Sequence, residues 1–365
     1  MHPIIPFSRQ QRITNTLLLN ASFIDNLGLM HGKMGIAIYF FHLARETKNQ
    51  VYEDYAGELI DEIYEEISLT TPLNFENGLA GIGWGIEYLV REGFIDADTD
   101  EVLEEFDNRL THELTYHTPE DIGLLKGLTG YITYFHSRVK KSADKNDRAV
   151  ANRKALLKAI DLLAKRITER HTVGNPEELW TEPDTFDIVW NYPAILWVLA
   201  ELHETGIFGA ETEQVINMIL TPLKYKPFFP RLQSNRLFLA LVIEKLKLRK
   251  PEQFPVSSFD KLTQEILTGL DRGTIFNELT PDSAFLQNGT GGIAWIYRQL
   301  FLRTNNEHFR EEFLYWNTRG FGFTETEQGY AGFYVDKENE NKAFGLLEGL
   351  AGIGLIDVLQ FDHLR

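Results

Sequence analysis

The sequence predicts an all-α fold: a single α/α toroid domain over residues 1–365, made of seven helix-pair repeats arranged as an inner and an outer ring. Three observations predict it. A motif of a polar residue, a glycine, small residues and an apolar helix recurs five times. Its spacing leaves room for two further units. Helices with one wet face alternate with helices that are apolar on more than one face.

The five copies begin His31-Gly32-Lys33-Met34-Gly35, Asn77-Gly78-Leu79-Ala80-Gly81, Lys126-Gly127-Leu128-Thr129-Gly130, Asn288-Gly289-Thr290-Gly291-Gly292 and Glu348-Gly349-Leu350-Ala351-Gly352. Successive lead glycines are 46, 49, 162 and 60 residues apart. The gap of 162 spans about three ordinary steps, so it predicts two hidden units. Trp190-Asn191-Tyr192-Pro193-Ala194 and Ser234-Asn235-Arg236-Leu237-Phe238 fill them: each opens on a polar stretch and continues as an apolar helix without the glycines.

Between these helices lie segments with apolar residues three and four apart. Examples are Ala56, Leu59, Ile60, Ile63; Phe106, Leu110, Leu114; and Ala155, Leu156, Ala159, Leu162, Leu163. That period marks helices with one buried stripe. The Gly-led helices, such as Ile36-Ala37-Ile38-Tyr39-Phe40-Phe41, are apolar around more of their girth and are predicted to be buried. Two concentric layers follow. The last unit runs nearly to Arg365 with no capping repeat, which predicts a closed ring in place of an open stack. The Gly-x-x-Gly step puts two small faces on one side of a helix, where seven inner helices are expected to converge.

Other segments depart from the repeat. Aromatic, Gly-rich residues 319–345 are expected to form a short hairpin or an ordered loop. The proline-containing stretches 172–189 and 222–233 are expected to be irregular connections.

Composition narrows the function. The formal net charge of −17 repels phosphate backbones, so no nucleic-acid partner is expected. No stretch approaches the roughly 20 apolar residues needed to span a bilayer, and the first residues lack a signal-peptide pattern, so a cytoplasmic location is the expectation. Nothing in the sequence sets the oligomeric state. There are no cysteines, which removes disulfides, thiolate catalysis and Cys-ligated zinc.

The residue before each lead glycine is predicted to stand at the start of an inner helix and to face the mouth of the ring. These positions are His31, Asn77, Lys126, Asn191 or Tyr192, Asn235, Asn288 and Glu348, with Glu76 and Gln287 beside them. Asn77 and Asn288 are also suited to cap their helices. Lys126 and Glu348 are suited to a mutual ion pair. Gathered helix N-termini predict a locally electropositive mouth that takes a carboxylate or an acidic peptide segment.

The motifs Gly28-Leu29-Met30-His31-Gly32-Lys33-Met34-Gly35, Asn77-Gly78-Leu79-Ala80-Gly81-Ile82-Gly83, Gln287-Asn288-Gly289-Thr290-Gly291-Gly292 and Leu347-Glu348-Gly349-Leu350-Ala351-Gly352-Ile353-Gly354 resemble the lanthionine synthetase C-like family. The resemblance implies a seven-unit α/α toroid. It also implies kinship with zinc enzymes that activate a peptide's cysteine thiol for addition to a dehydroamino acid. In that family, zinc is held by a Cys in a Trp-Cys-Tyr-Gly-like motif and by a Cys-His-Gly motif. Here the second reads Gln287-Asn288-Gly289. The first corresponds to Trp190-Asn191-Tyr192 or, one unit on, to Asn235. Amides are poor zinc ligands, so no zinc or other cofactor is expected. The implied role is peptide binding or modification without zinc-dependent thioether cyclisation. The alternative is a metal-free hydrolase or lyase of glycosidase type with His31, Glu76 and Glu348 as catalytic groups.

Overall fold

A computed structural model describes residues 8–140, 147–173, 181–225, 230–247, 256–281, 283–324 and 344–359. Among the described residues there are sixteen α-helices and no strands. They are α1 (Arg9–Asn20), α2 (Lys33–Thr47), α3 (Gln50–Glu66), α4 (Leu79–Arg91), α5 (Thr99–Val102), α6 (Glu104–Tyr116), α7 (Leu128–Lys140) and α8 (Asp147–Val173). The remainder are α9 (Asn191–Glu204), α10 (Gly209–Tyr225), α11 (Gln233–Lys247), α12 (Val256–Leu267), α13 (Arg272–Asn277), α14 (Thr290–Thr304), α15 (Glu307–Thr324) and α16 (Leu350–Val358).

Seven of these form a closed inner ring. Each packs on the next in the order α2, α4, α7, α9, α11, α14, α16, and α16 returns to α2. Each inner helix also has an outer partner: α3, α6, α8, α10, α12 and α15 in turn, with α1 against α16. The first helix of the chain thus completes the seventh pair. Burial follows the predicted layers. Every residue of α2 from Lys33 to Ala44 is buried, whereas α3 buries only Ala56, Leu59 and Ile63. The two glycine-poor units are inner helices as well, α9 and α11.

Two expectations are corrected. Residues 319–324 continue α15 as helix, while 325–343, the rest of the expected hairpin or loop, lie outside the described residues. Residues 172–173 close α8, 222–225 close α10 and Gln233 opens α11, so these are not irregular connections, while 174–180 and 226–229 lie outside the described residues.

The glycines serve the chain's own loops more than the convergence of helices. A Cβ on Gly81 would overlap the carbonyl oxygen of Phe75, and one on Gly352 would overlap that of Leu346. In each case the blocking atom belongs to the loop six residues earlier, folded under the helix start. Those loops then join side by side. Ile188 N–H donates to Gln287 C=O at 2.9 Å, Gln287 to Leu347 at 3.0 Å and Leu347 to Met30 at 3.0 Å. Met30 donates to Glu76 at 2.9 Å and Glu76 to Leu125 at 2.9 Å. The result is a belt of backbone hydrogen bonds around one end of the ring, a reason for the motif that local sequence does not display.

The belt passes over the fifth unit, whose helix start is held differently. Glu278 accepts from the backbone N–H of Gln233 (2.9 Å) and Ser234 (2.8 Å). Glu182 accepts from Leu232 N–H (3.1 Å), from Arg231 N–H and from Asn235 Nδ2 (3.1 Å). Two carboxylates therefore supply the anionic complement that the N-terminus of α11 attracts.

A buried ionic cluster ties two neighbouring helix pairs and the short α5 together. Arg138 on α7 is 1% exposed and bonds Glu87 of α4, Asp107 of α6 (2.9 Å) and Asp100 of α5 (3.0 Å). Tyr134 O–H donates to Asp107 at 2.6 Å, and Asn152 of α8 adds a bond at 3.0 Å.

Candidate functional site

The loop starts that make the belt bring His31, Glu76 and Glu348 to one place. His31 Nε2 lies 3.0 Å from Glu76 Oε1 and 3.9 Å from Glu348 Oε2. The imidazole is 1% exposed, Glu76 about tenfold more and Glu348 more again, so the group grades from buried ring to accessible carboxylate. Lys126 Nζ, largely exposed, reaches Glu76 Oε2 at 3.7 Å. Lys126 thus pairs with Glu76, and Glu348 turns to His31. With two carboxylates at Nε2, the neutral ring carries its proton there. Its Nδ1 lone pair is buried and has no hydrogen-bond partner.

Asp187 joins this group and was missed in the sequence. Its carboxyl accepts from Val189 N–H at 3.0 Å and from the Gln287 side chain. Burial pushes its pKa above the usual carboxylate range, and the nearby charge of Glu348 pushes the same way. It falls in a stretch read as a connection. The available signal was its turn: Asn26 and Asp121 make the same side-chain bond two residues ahead, to Gly28 and Gly123.

The raised carboxyl makes a pH prediction. An acid that is harder to ionise in the fold adds stability below the ordinary carboxyl range, and that stability is lost as pH rises through its raised value. Asp187→Asn keeps the acceptor for Val189 without the charge. We expect it to raise Tm at pH 7 by roughly 1–3 °C and to leave Tm unchanged near pH 3, as calorimetry would read.

The other predicted residues take different places. Asn77 Oδ1 accepts from Asn26 Nδ2 at 3.0 Å, and Asn288 Oδ1 accepts from Ser283 Oγ at 3.0 Å. Neither caps its helix. The cap positions are Gly78 and Gly289, whose extended backbone meets the loop beneath. Asn191 is exposed and Tyr192 is buried in the core. Asn235 is fully buried on α11, the inner helix beside α14, with its Oδ1 unpartnered. Ring order therefore places Asn235 next to the unit led by Gln287 and Asn288, and Asn191 one unit further away.

The mouth is acidic and not electropositive. Glu76, Glu348 and Asp187 outnumber Lys126, and Glu182 and Glu278 already hold the α11 N-terminus. The chain's own carboxylates have taken the positions that helix dipoles offer to anions.

Beneath the belt the ring encloses a cavity of about 350 Å³. Leu29, Phe75, Leu124, Leu286 and Leu346, each three residues before a lead glycine, line its upper part. Trp84, Trp197 and Trp295 line it from the inner helices.

A closed double ring of seven helix pairs defines the class of α/α toroids. Residues 24–186 match the family model "Lanthionine synthetase C-like protein". The solved structure of a nisin cyclase superposes with a TM-score of 0.70 at 14% identity, covering 98% of this chain and 94% of that one. No curated protein matches the sequence. The first half of the chain is thus similar to the lanthionine synthetase C-like family, and the whole chain shares the fold of the nisin cyclase.

Asn288 is bonded to Ser283, Asn235 donates to Glu182, and the chain has no cysteine. Among the described residues no three His, Asp or Glu are grouped to hold a metal ion. Among the described residues, no helix is long and apolar enough to cross a membrane.

Proposed function

We propose that this chain is a relative of the lanthipeptide cyclases that binds or modifies a peptide at the polar mouth without a zinc-bound thiolate. One observation carries the reading: His31 Nε2 sits 3.0 Å from Glu76 and 3.9 Å from Glu348, at the end of the ring where the inner helices begin. Glu76 orients the imidazole, as a carboxylate does for any histidine that must present its other nitrogen. The ring itself is buried, and the exposed edges of Glu348 and Lys126 are the groups a peptide meets first. The acidic balance favours a peptide segment carrying an amine or guanidinium.

The test uses the full chain and a dye-labelled linear peptide holding one dehydroalanine, one cysteine and two lysines. Fluorescence anisotropy is expected to saturate, with Glu348→Gln weakening binding about tenfold, the order of a single charge-assisted contact. The peptide thiol is expected to stay alkylatable with and without added zinc. Zinc-dependent loss of that thiol, or absence of saturable binding, overturns the reading.

The approach of two carboxylates to one imidazole nitrogen, beside a third carboxyl raised by burial, favours a second reading as a metal-free hydrolase or lyase. Its mark in the same experiment is cleavage of the peptide that His31→Gln abolishes. An intact peptide mass overturns it for that substrate class.

A further inference from the structure

The inner helices run from the polar mouth to a second end of the bore, where the chemistry is different. On α4, Trp84, Tyr88 and Arg91 follow at four- and three-residue spacing and share a face. On α14, Arg298 follows Trp295 by three. Trp84, Trp197, Trp295 and Arg91 all line the cavity. Trp197 and Trp295 meet edge to face with ring centres 5.5 Å apart, and Trp84 stacks on Tyr88 at 5.4 Å. The lower bore is therefore an aromatic sleeve.

Cations surround its end, and most are already compensated. Lys245 Nζ lies 3.3 Å from Glu201 and 3.7 Å from the Trp197 ring centre. Arg303 lies 4.0 Å from Glu204. Arg298 differs. It is half-buried, its hydrogen bond is Nε to the Leu359 carbonyl at 2.7 Å, and no carboxylate of a described residue pairs with it. Burial lowers its pKa, opposed by the Tyr88 phenol. Arg91 stands 5.2 Å from the same Tyr88 ring. A half-buried guanidinium that no carboxylate of a described residue pairs with is costly to keep, and its planar fork suits a carboxylate in two-point contact.

We propose that this end of the bore is a second binding site, which takes a small apolar monocarboxylate. The carboxylate meets Arg91, which lines the cavity, and the Nη edge of Arg298, one turn beyond the cavity-lining Trp295 on α14, and the apolar body lies among the three indoles. The cavity volume of about 350 Å³ is at the lower end of what small-molecule sites occupy, roughly 300–1,000 Å³. A cationic ligand is disfavoured because Glu201, the carboxylate lining the cavity, is already paired with Lys245. Its anchoring groups, Arg298 and Arg91, are separate from His31, Glu76 and Glu348 at the mouth.

Intrinsic tryptophan fluorescence reads the site directly, since three of the six tryptophans line it. The probes are decanoate, decanol and decyltrimethylammonium, each below its micelle concentration. Decanoate is expected to give a saturable change with at least tenfold tighter binding than decanol, and decyltrimethylammonium to bind more weakly than decanol. Arg298→Gln should bring decanoate to the level of decanol and leave decanol unchanged. Should that variant misfold by circular dichroism, Arg91→Gln, at an exposed position, is expected to weaken decanoate severalfold. Equal binding of decanoate and decanol by the unaltered protein, or no saturable change, overturns the proposal.

Discussion

Replacing Arg138 with alanine is expected to cost about 3–5 kcal/mol, the cost of leaving buried charges uncompensated. Arg138 is 1% exposed and faces Glu87 and Asp107, which are nearly as buried. Without the guanidinium, two carboxylates and the Tyr134 hydroxyl face one another with no cation between them. The loss falls where α4, α6, α7 and α8 meet, so two helix pairs lose register together. Urea denaturation followed by circular dichroism would show the midpoint fall. Arg138→Lys is expected to recover only part of it, since one ammonium cannot serve the divergent acceptors of a planar fork. A change below about 1 kcal/mol, the range of exposed pairs, would show that the cluster is wetter than its burial indicates.

Gly81→Ala is expected to destabilise by about 3 kcal/mol, at the upper range for overpacking, although alanine is the better helix former. Inside a free helix the exchange gains up to about 1 kcal/mol, and Gly57 on α3 supplies that control. A Cβ at Gly57 meets nothing within 4 Å, so Gly57→Ala should be neutral or stabilising. At Gly81 the new methyl meets the Phe75 carbonyl and the Leu29 side chain. The loop must move, and it carries Glu76, which donates in the belt to Leu125 and holds His31. Calorimetry of the two variants side by side is the check. Opposite signs are expected from the same substitution, and equal signs would mean that the loop yields freely.

Local signals made the inner helices legible. The polar-Gly-small start and the all-round apolar run are read within a dozen residues, and they located all seven inner helices, including the glycine-free α9 and α11. The clustering of His31, Glu76 and Glu348 was also readable, because repeat register places equivalent positions around one axis. What long-range partners decide was hidden. Glu182 and Glu278 hold the start of α11 from about 50 residues away in either direction. Asn77 and Asn288 look like caps in isolation and instead bond the loops beside them, because glycine takes the cap position under steric pressure from the chain six residues back. Asp187 escaped because unit four lacks the glycines that align the rest. The apolar residue three before each lead glycine was in plain view, and its meaning required knowing that the loops fold beneath the helices.

A row of repeats with free ends can shed its last member and persist. In this protein α16 touches both α1 and α2, so no joint lies at an edge. The molecule behaves as a hoop. Any displacement that widens the bore must be shared among seven joints, because none can part without opening the circumference. Such a bore selects its guests by girth, and it resists a guest slightly too broad far more stiffly than a cleft of the same volume between two hinged halves.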